Sequence, residues 1–410
     1  MADNTQVLII GGGINGATLA LLLGQNNIKV TLCEPNAILS KKNLVFDGRA
    51  YALALSTQKM LKSIDIWDKL KHNSEPILDI RIGENNHKDS LSKTFLHFCH
   101  YEMAENADPM GYILEDRHLR SELIHKIKKC KNISIKDKCS IIEHQINPEC
   151  VVSKLSNEEV IKSTLVIGSD GQNSQTAKFA NINHFGWDYK QMSLVCAIKH
   201  EKPHNGCAYQ FFKPSGPIAI LPLPANHSSI VWTEKPDLAQ EINKMKPNEY
   251  ISALKSRIGA DLGNISLSGE RFLFPLKLSL AENFISNRIA LVGDSAHGIH
   301  PLAGQGLNLG MRDIASLIEV IVTAVRRGED IGSSSVLKRY ENWRKFETSS
   351  MAASTDIINR MFSHNNQILK LATAIGLKAI NSNPFLKKYI MREAAGLNGD
   401  LPKLLQGKSL

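Results

Sequence analysis

A chain of 410 residues, 43% hydrophobic and 22% charged, is long enough for two domains or for one large domain with an insertion, and its balance excludes a disordered or fibrous protein. Its formal charge of +9 comes with no recognition motif and no interleaved aromatic and basic patch, which argues against nucleic acid as a partner. Seven cysteines, odd in number and without a Cys-x-x-Cys pair, suggest neither a disulfide framework nor a metal site and fit a reducing, cytoplasmic setting.

The first residues, Met1 to Thr5, lead straight into a strand pattern without a basic, apolar leader. The longest apolar helical stretch, 314–325, includes Glu319 and falls short of a bilayer's thickness, so no integral membrane segment is expected. From Asn365 onward seven basic residues stand against Glu393 and Asp400. Such a tail suits the inner face of an anionic membrane or an acidic partner as well as it suits a solvated helix face.

In chain order, 6–10 read as a strand, Gly11-Gly12-Gly13-Ile14-Asn15-Gly16 as a Gly-x-Gly-x-x-Gly turn, and the apolar run to Leu23 as a helix. The next strand, 28–32, ends at Glu34, near the spacing of an acid that bonds a ribose hydroxyl. This is a βαβ unit for an adenosine diphosphate group, and Glu34 in place of an arginine suits FAD or NAD rather than NADP. The stretch Asp47-Gly48-Arg49-Ala50-Tyr51-Ala52 follows a loop and leads into a helix towards Leu61. Residues 79–82 and 94–98 read as strands of a separate sheet, and Asp116 as the N-cap of a helix that carries Arg117 and runs to Cys130.

Short strands at 133–135, 140–143 and 151–155 return the chain to the nucleotide region, and a buried strand at 163–167 ends in Gly168-Ser169-Asp170-Gly171. From 184 to 274 long strands alternate with turns, interrupted by one polar helical segment at 238–258. A mostly antiparallel sheet with helices on one side is the natural reading, and such a sheet makes a wall for a cavity.

The most informative stretch runs from Arg288 to Asp313. A short buried strand, 289–292, ends at Gly293-Asp294, where a carboxylate can project from the strand tip. Pro301 bars a regular helix just before it, and Gly304 and Gly306 let backbone approach a ligand before Leu307 begins the apolar pattern of a helix that starts near Gln305. The N-terminus of that helix favours negative charge.

This stretch closely resembles the second flavin-binding motif of the FAD-dependent aromatic hydroxylases, the class A flavoprotein monooxygenases. Its core, His300-Pro301-Leu302-Ala303-Gly304-Gln305-Gly306-Leu307-Asn308-Leu309-Gly310 with Asp313, is similar to the signature of the branch that hydroxylates ubiquinone precursors. The segment from Arg392 to Pro402 resembles the end of that branch, so the likeness covers essentially the whole chain.

The resemblance implies an α/β fold like that of p-hydroxybenzoate hydroxylase. A discontinuous Rossmann-like FAD-binding domain would take 1–75, 101–183 and 276–345, an inserted antiparallel substrate domain 76–100 and 184–275, and a helical tail 346–410. It assigns Asp294 to the ribityl chain, the Gly304-Gln305-Gly306-Leu307-Asn308 helix start and Pro301 to the isoalloxazine, and Arg49, Arg117 and Asp170 to the cofactor's surroundings. Ala177 stands where the family usually has an arginine, which leaves the choice between NADH and NADPH open. Gln210, Phe212, Pro217 and Leu221 match positions that line the family's substrate site, as do Gly216, Pro222 and Trp232, although most such side chains serve as plain core.

The implied reaction reduces FAD with NAD(P)H or another donor, adds O2 at C4a to give a hydroperoxide, and transfers oxygen to a phenol ring. The substrate implied is a polyprenylated phenol of ubiquinone biosynthesis. Two alternatives stand beside it: a hydroxylase of soluble phenols, and a non-catalytic flavin-bound assembly subunit that meets other ubiquinone-synthesis proteins through the basic tail. The sequence names no general base, since His297 and His300 read better as structural hydrogen-bonders, and it leaves a homo-oligomer open.

Overall fold

The computed structural model describes residues 3–38, 49–84, 93–103, 108–362 and 376–410. Asp47 and Gly48 lie outside the described residues.

β1 (Asp3–Ile10), α1 (Ile14–Gln25) and β2 (Val30–Glu34) form the expected parallel unit, with Val7 facing Val30 and Ile10 facing Cys33. α1 is apolar on nearly every side because it is buried between the sheet and later helices. The next segment departs from expectation. Residues Ala50–Ala54 are a strand, β3, and only then does α2 (Leu55–Ser63) begin, followed by the single turn α3 (Trp67–Leu70). Ala-Tyr-Ala-Leu-Ala carries good helix formers, but pairing to β7 outweighs so weak a preference.

β4 (Ser74–Ile77), β5 (Asp79–Glu84), β6 (Lys93–Cys99) and β7 (Gly111–Glu115) follow, then α4 (Asp116–Lys129). The N-cap of α4 is Glu115, not Asp116. The Asp116 carboxylate instead accepts from the Tyr51 hydroxyl at 2.8 Å and from Arg120 at 3.0 and 3.1 Å, which leaves it no reach for a capping bond.

β8 (Ile133–Asp137), β9 (Ile141–Ile146), β10 (Val151–Leu155) and β11 (Val160–Gly168) complete most of the first sheet, and the short α5 (Gln175–Phe179) leaves it. β12 (His184–His200), β13 (Cys207–Phe211), β14 (Ile218–Leu223) and β15 (His227–Glu234) precede α6 (Pro236–Lys244) and α7 (Pro247–Ile258). The one polar helix expected at 238–258 is therefore two, because the residue before Pro247 is forced out of helical geometry: Lys246 has ψ 153°.

β16 (Ile265–Ala281), β17 (Ile285–Ser286), β18 (Ile289–Leu291) and β19 (His297–Gly298) lead to α8 (Gln305–Arg326) and α9 (Ser334–Phe362). Residues 376–382 are helical, and α10 (Pro384–Ala394) is the last described α-helix, followed by a 3-10 turn at Lys403–Gln406.

Three sheets result. The first runs β17-β18-β11-β1-β2-β8, with β10 and β9 attached beyond β11, and it is parallel through β18, β11, β1, β2 and β8. The second runs β19-β16-β12-β15-β14-β13-β5-β6 and is antiparallel except where β13 meets β5. The third is the small antiparallel β3-β7-β4. α6 and α7 cover one face of the second sheet through Leu194, Ile218, Ile230 and Tyr250. Its other face packs on the third sheet and on α10 through Ala197, Leu223, Ile113 and Met391. β16 continues to Ala281, so residues 276–281 belong to the second sheet.

Candidate flavin site

The amino-terminal loop folds tightly on the first sheet. Gly11 has φ +101°, and an added Cβ would overlap the Ser169 carbonyl, so both its backbone geometry and the approach of the 168–171 turn require glycine. The Ser169 hydroxyl donates to the Gly11 carbonyl at 3.0 Å, and a Cβ on Gly16 would collide with that same carbonyl. Glu34 closes the loop from the other side: its carboxylate accepts from Gly12 N at 2.7 Å and Asn36 N at 3.0 Å.

Gly13 is different. Its φ is −64°, open to any residue, and nothing lies within 4 Å of where a Cβ would sit. Neither conformation nor packing explains a glycine there, whereas a ligand lying against the backbone does.

The second loop meets the first through Asn15. The Asn15 side chain is wedged between Gly293 and Gly310, where an added Cβ on Gly310 would come within 2.5 Å of the amide nitrogen and one on Gly293 closer still. Gly293 also has φ +61°. Residues 278 and 295 positions apart thus share one seam. Asn15 Oδ1 is buried and has no partner among the described residues, an acceptor left over at that seam.

Asp294 follows Gly293 in a single 3-10 turn. By accessible surface it is exposed, yet the density of protein around it is that of an interior group. Both hold for a carboxylate on the floor of a cleft. Crowding raises its pKa, His297 pulls it down and Asp313 pushes it up.

The turn is held from behind by a buried charge network. Asp313 Oδ2 accepts from Gly293 N at 2.9 Å and from His297 Nε2 at 2.5 Å, and Oδ1 accepts from Arg344 Nε at 2.8 Å. Burial works against the Asp313 charge, but His297 and Arg344 keep its pKa below the usual carboxylate value. Glu347 in turn pairs with Arg344 and Arg312. Sequence reasoning did not single out Arg344, which is fully buried 31 residues from its partner and carries no local pattern.

Pro301 caps a 3-10 turn over Leu302–Gly304, Gly304 is left-handed at φ +62°, and α8 begins at Gln305, as expected. A Cβ on Gly304 would press on Ala52 of β3, while Gly306, like Gly13, has nothing within 4 Å. Asn308 uses its whole amide on protein. Its Oδ1 accepts from Ala54 N and Thr57 Oγ1, both at 2.9 Å, and its Nδ2 donates to the Ala52 and Gly304 carbonyls at 2.8 and 3.3 Å. It clamps α8 onto β3. Gln305 Nε2 is 3.5 Å from the Ala394 carbonyl, and Leu307 packs on the main core.

The remaining expected residues sort by place. Arg49 and Arg117 flank the paired ends of β3 and β7: Arg49 is 3.8 Å from Asp116, and Arg117 pairs with Glu115 at 2.8 Å. Asp170 accepts from the Ser174 hydroxyl at 2.5 Å and from Thr176 N and Oγ1 at 3.0 Å, so its carboxylate organises the start of α5. Gln210 and Leu221 alternate with Tyr209, Phe211 and Ile220, which face α6 and α7, and so point to the opposite side of the sheet. Phe212, just past β13, stacks on Phe362 of α9 at 3.7 Å, and Pro217 immediately precedes β14. Trp232 belongs to the core beneath α6 and α7.

These features fit an FAD: two glycines facing open space, an unspent buried acceptor, a carboxylate on a cleft floor and the N-terminus of a 22-residue helix. A parallel sheet entered by a glycine-rich dinucleotide-binding loop and joined to an antiparallel sheet defines the class as a flavoprotein.

A family model described as "FAD binding domain" matches residues 4–354. The ubiquinone hydroxylase UbiL of Rhodospirillum rubrum is 38% identical over 98% of this chain and 93% of its own. The 3-demethoxyubiquinol 3-hydroxylase of Escherichia coli is 31% identical over 96% and 99%. In fold the chain is similar to p-nitrophenol 4-monooxygenase PnpA of Pseudomonas putida, with a TM-score of 0.81, 18% identity and coverage of 97% and 99%. The chain belongs to the FAD-binding-domain family of flavoprotein monooxygenases.

Proposed function

We propose that the protein is an FAD-dependent monooxygenase that hydroxylates the ring of a polyprenylated phenol in ubiquinone biosynthesis. The observation that carries this reading is the seam at Asn15, which makes the two distant glycine loops walls of one cleft; the named relatives supply the substrate class.

In this reading Gly13 admits the cofactor's diphosphate to the start of α1, Glu34 holds the ribose, and Asp294 takes the ribityl hydroxyls. When bound, the flavin would activate O2 for transfer to an electron-rich aromatic carbon, with NAD(P)H or another donor reducing it. Gly306 and the first free N–H groups of α8 would favour negative charge on the bound flavin. Arg49 and Arg117 add positive charge beside β3, and Pro301 shapes the turn in front of the ring. Phe212, Pro217 and Leu221 would give the substrate wall apolar surface that keeps water from the reacting ring, with Gln210 as a polar group on the same wall. The first and third sheets make the cofactor part, and the second sheet the substrate part.

Deleting the gene and analysing quinones tests the substrate. Accumulation of a prenylated, under-hydroxylated precursor is expected and names the carbon. Unaltered quinones would move the reading to soluble phenols. Full rescue by an Asp294→Ala variant lacking flavin would replace catalysis by an assembly role.

A further inference from the structure

α10 turns Lys387 and Met391 inward and its other side to solvent. On that outer side Phe385 is 89% exposed and Tyr389 61%, with Leu386 beside them. Tyr101, 71% exposed, belongs to the neighbouring 3-10 turn that Lys387 grips through Glu102 at 2.6 Å. Isolated exposed apolar side chains are ordinary, but four large ones on two elements joined by an ion pair are a patch.

Among the described residues of α10 and the helical stretch before it, charge is one-sided. Lys388 and Arg392 are exposed on the same helix, and Lys378 is exposed on the helical stretch just before it. Of the nearby carboxylates Glu102 is taken by Lys387, and Glu393 is only partly exposed. Protein interfaces are depleted in lysine at their centres, whereas a bilayer surface takes aromatic rings at headgroup depth with lysines around them. No helix among the described residues is long and apolar enough to cross a membrane.

We propose that the outer face of α10, with Tyr101, docks the protein on an anionic lipid bilayer, Phe385, Leu386 and Tyr389 entering the interface and Lys378 and Lys388 meeting the headgroups. The inner face of α10 joins the apolar cluster that includes Ile80, Ile82 and Leu221. Resting on the substrate reading above, this places one helix between the lipid and the substrate wall, so that a prenylated phenol offers its ring while its tail stays in the membrane.

Sedimentation of the full-length, flavin-loaded protein with phosphatidylglycerol–phosphatidylcholine vesicles tests the docking, with phosphatidylcholine vesicles as the neutral control. The wild type is expected to bind the anionic vesicles, and both Phe385→Ser/Tyr389→Ser and Lys378→Glu/Lys388→Glu to lose binding by about tenfold or more. Flavin absorbance and melting temperature, unchanged in the variants, show that they fold. Binding to neither vesicle overturns the proposal, as does equal binding by the variants. A dimer in size-exclusion chromatography that the same variants abolish would make the face a protein interface and also overturn it. Vesicle binding without any quinone phenotype on deletion would leave the docking standing and remove the substrate reading.

Discussion

Individual residues separate into those bonded within the fold and those that the fold leaves without a packing reason, and the two kinds differ in how far they could be read from the sequence. Gly13 stood out because glycine at fixed spacing between a strand and a helix has few other uses, and Gly306 because it belongs to a helix-start motif; the fold gives neither a packing reason. Asn308 was legible as part of a motif but not as a clamp, since its partners Ala52, Ala54 and Thr57 lie some 250 positions away. His300 is fully buried, edge-on to Tyr189 at 5.0 Å, and burial pushes its pKa down to about 4 despite the charge of Asp356. Its folded pKa lies below the unfolded value of 6.5, so between these two the unfolded chain binds more protons and stability falls as pH falls. Urea denaturation should show this histidine costing about 2 kcal/mol between pH 7 and pH 5, and His300→Gln should remove that part of the slope. An unchanged slope in the variant would mean that His300 titrates normally in the folded state.

At the scale of elements, patterns with local causes came through and those with distant causes did not. β1, α1, β2 and the long strands of the second sheet follow from apolar runs and turn residues. β3 did not, because only β7 and Asn308 make Ala50–Ala54 extended. The break between α6 and α7 was written in Pro247 and overlooked. For the β3–α8 clamp, Asn308→Ala should cost about 2–3 kcal/mol in thermal or urea denaturation, because it strands the buried Ala54 N–H and the Ala52 carbonyl. A loss under about 0.5 kcal/mol would show that water or a neighbour takes over those bonds.

For the molecule as a whole, the claim is that two loops almost three hundred residues apart enclose one cofactor, with Asn15 as the key between them. Gly310→Val would drive a branched side chain into the Asn15 amide inside a buried helix contact. It should destabilise the fold by about 3 kcal/mol or more and release flavin with it, as thermal melts and filtrate fluorescence would show. Gly13 and Gly306 allow a cleaner separation, because a Cβ at either position meets nothing within 4 Å. The most direct measurement is therefore the flavin-to-protein ratio, by absorbance, of gently purified wild type, Gly13→Val and Gly306→Val, each checked for an unchanged melt in flavin-free form. The account predicts close to one flavin per wild-type chain and little in either variant. A colourless wild type, or full flavin in either folded variant, would contradict it.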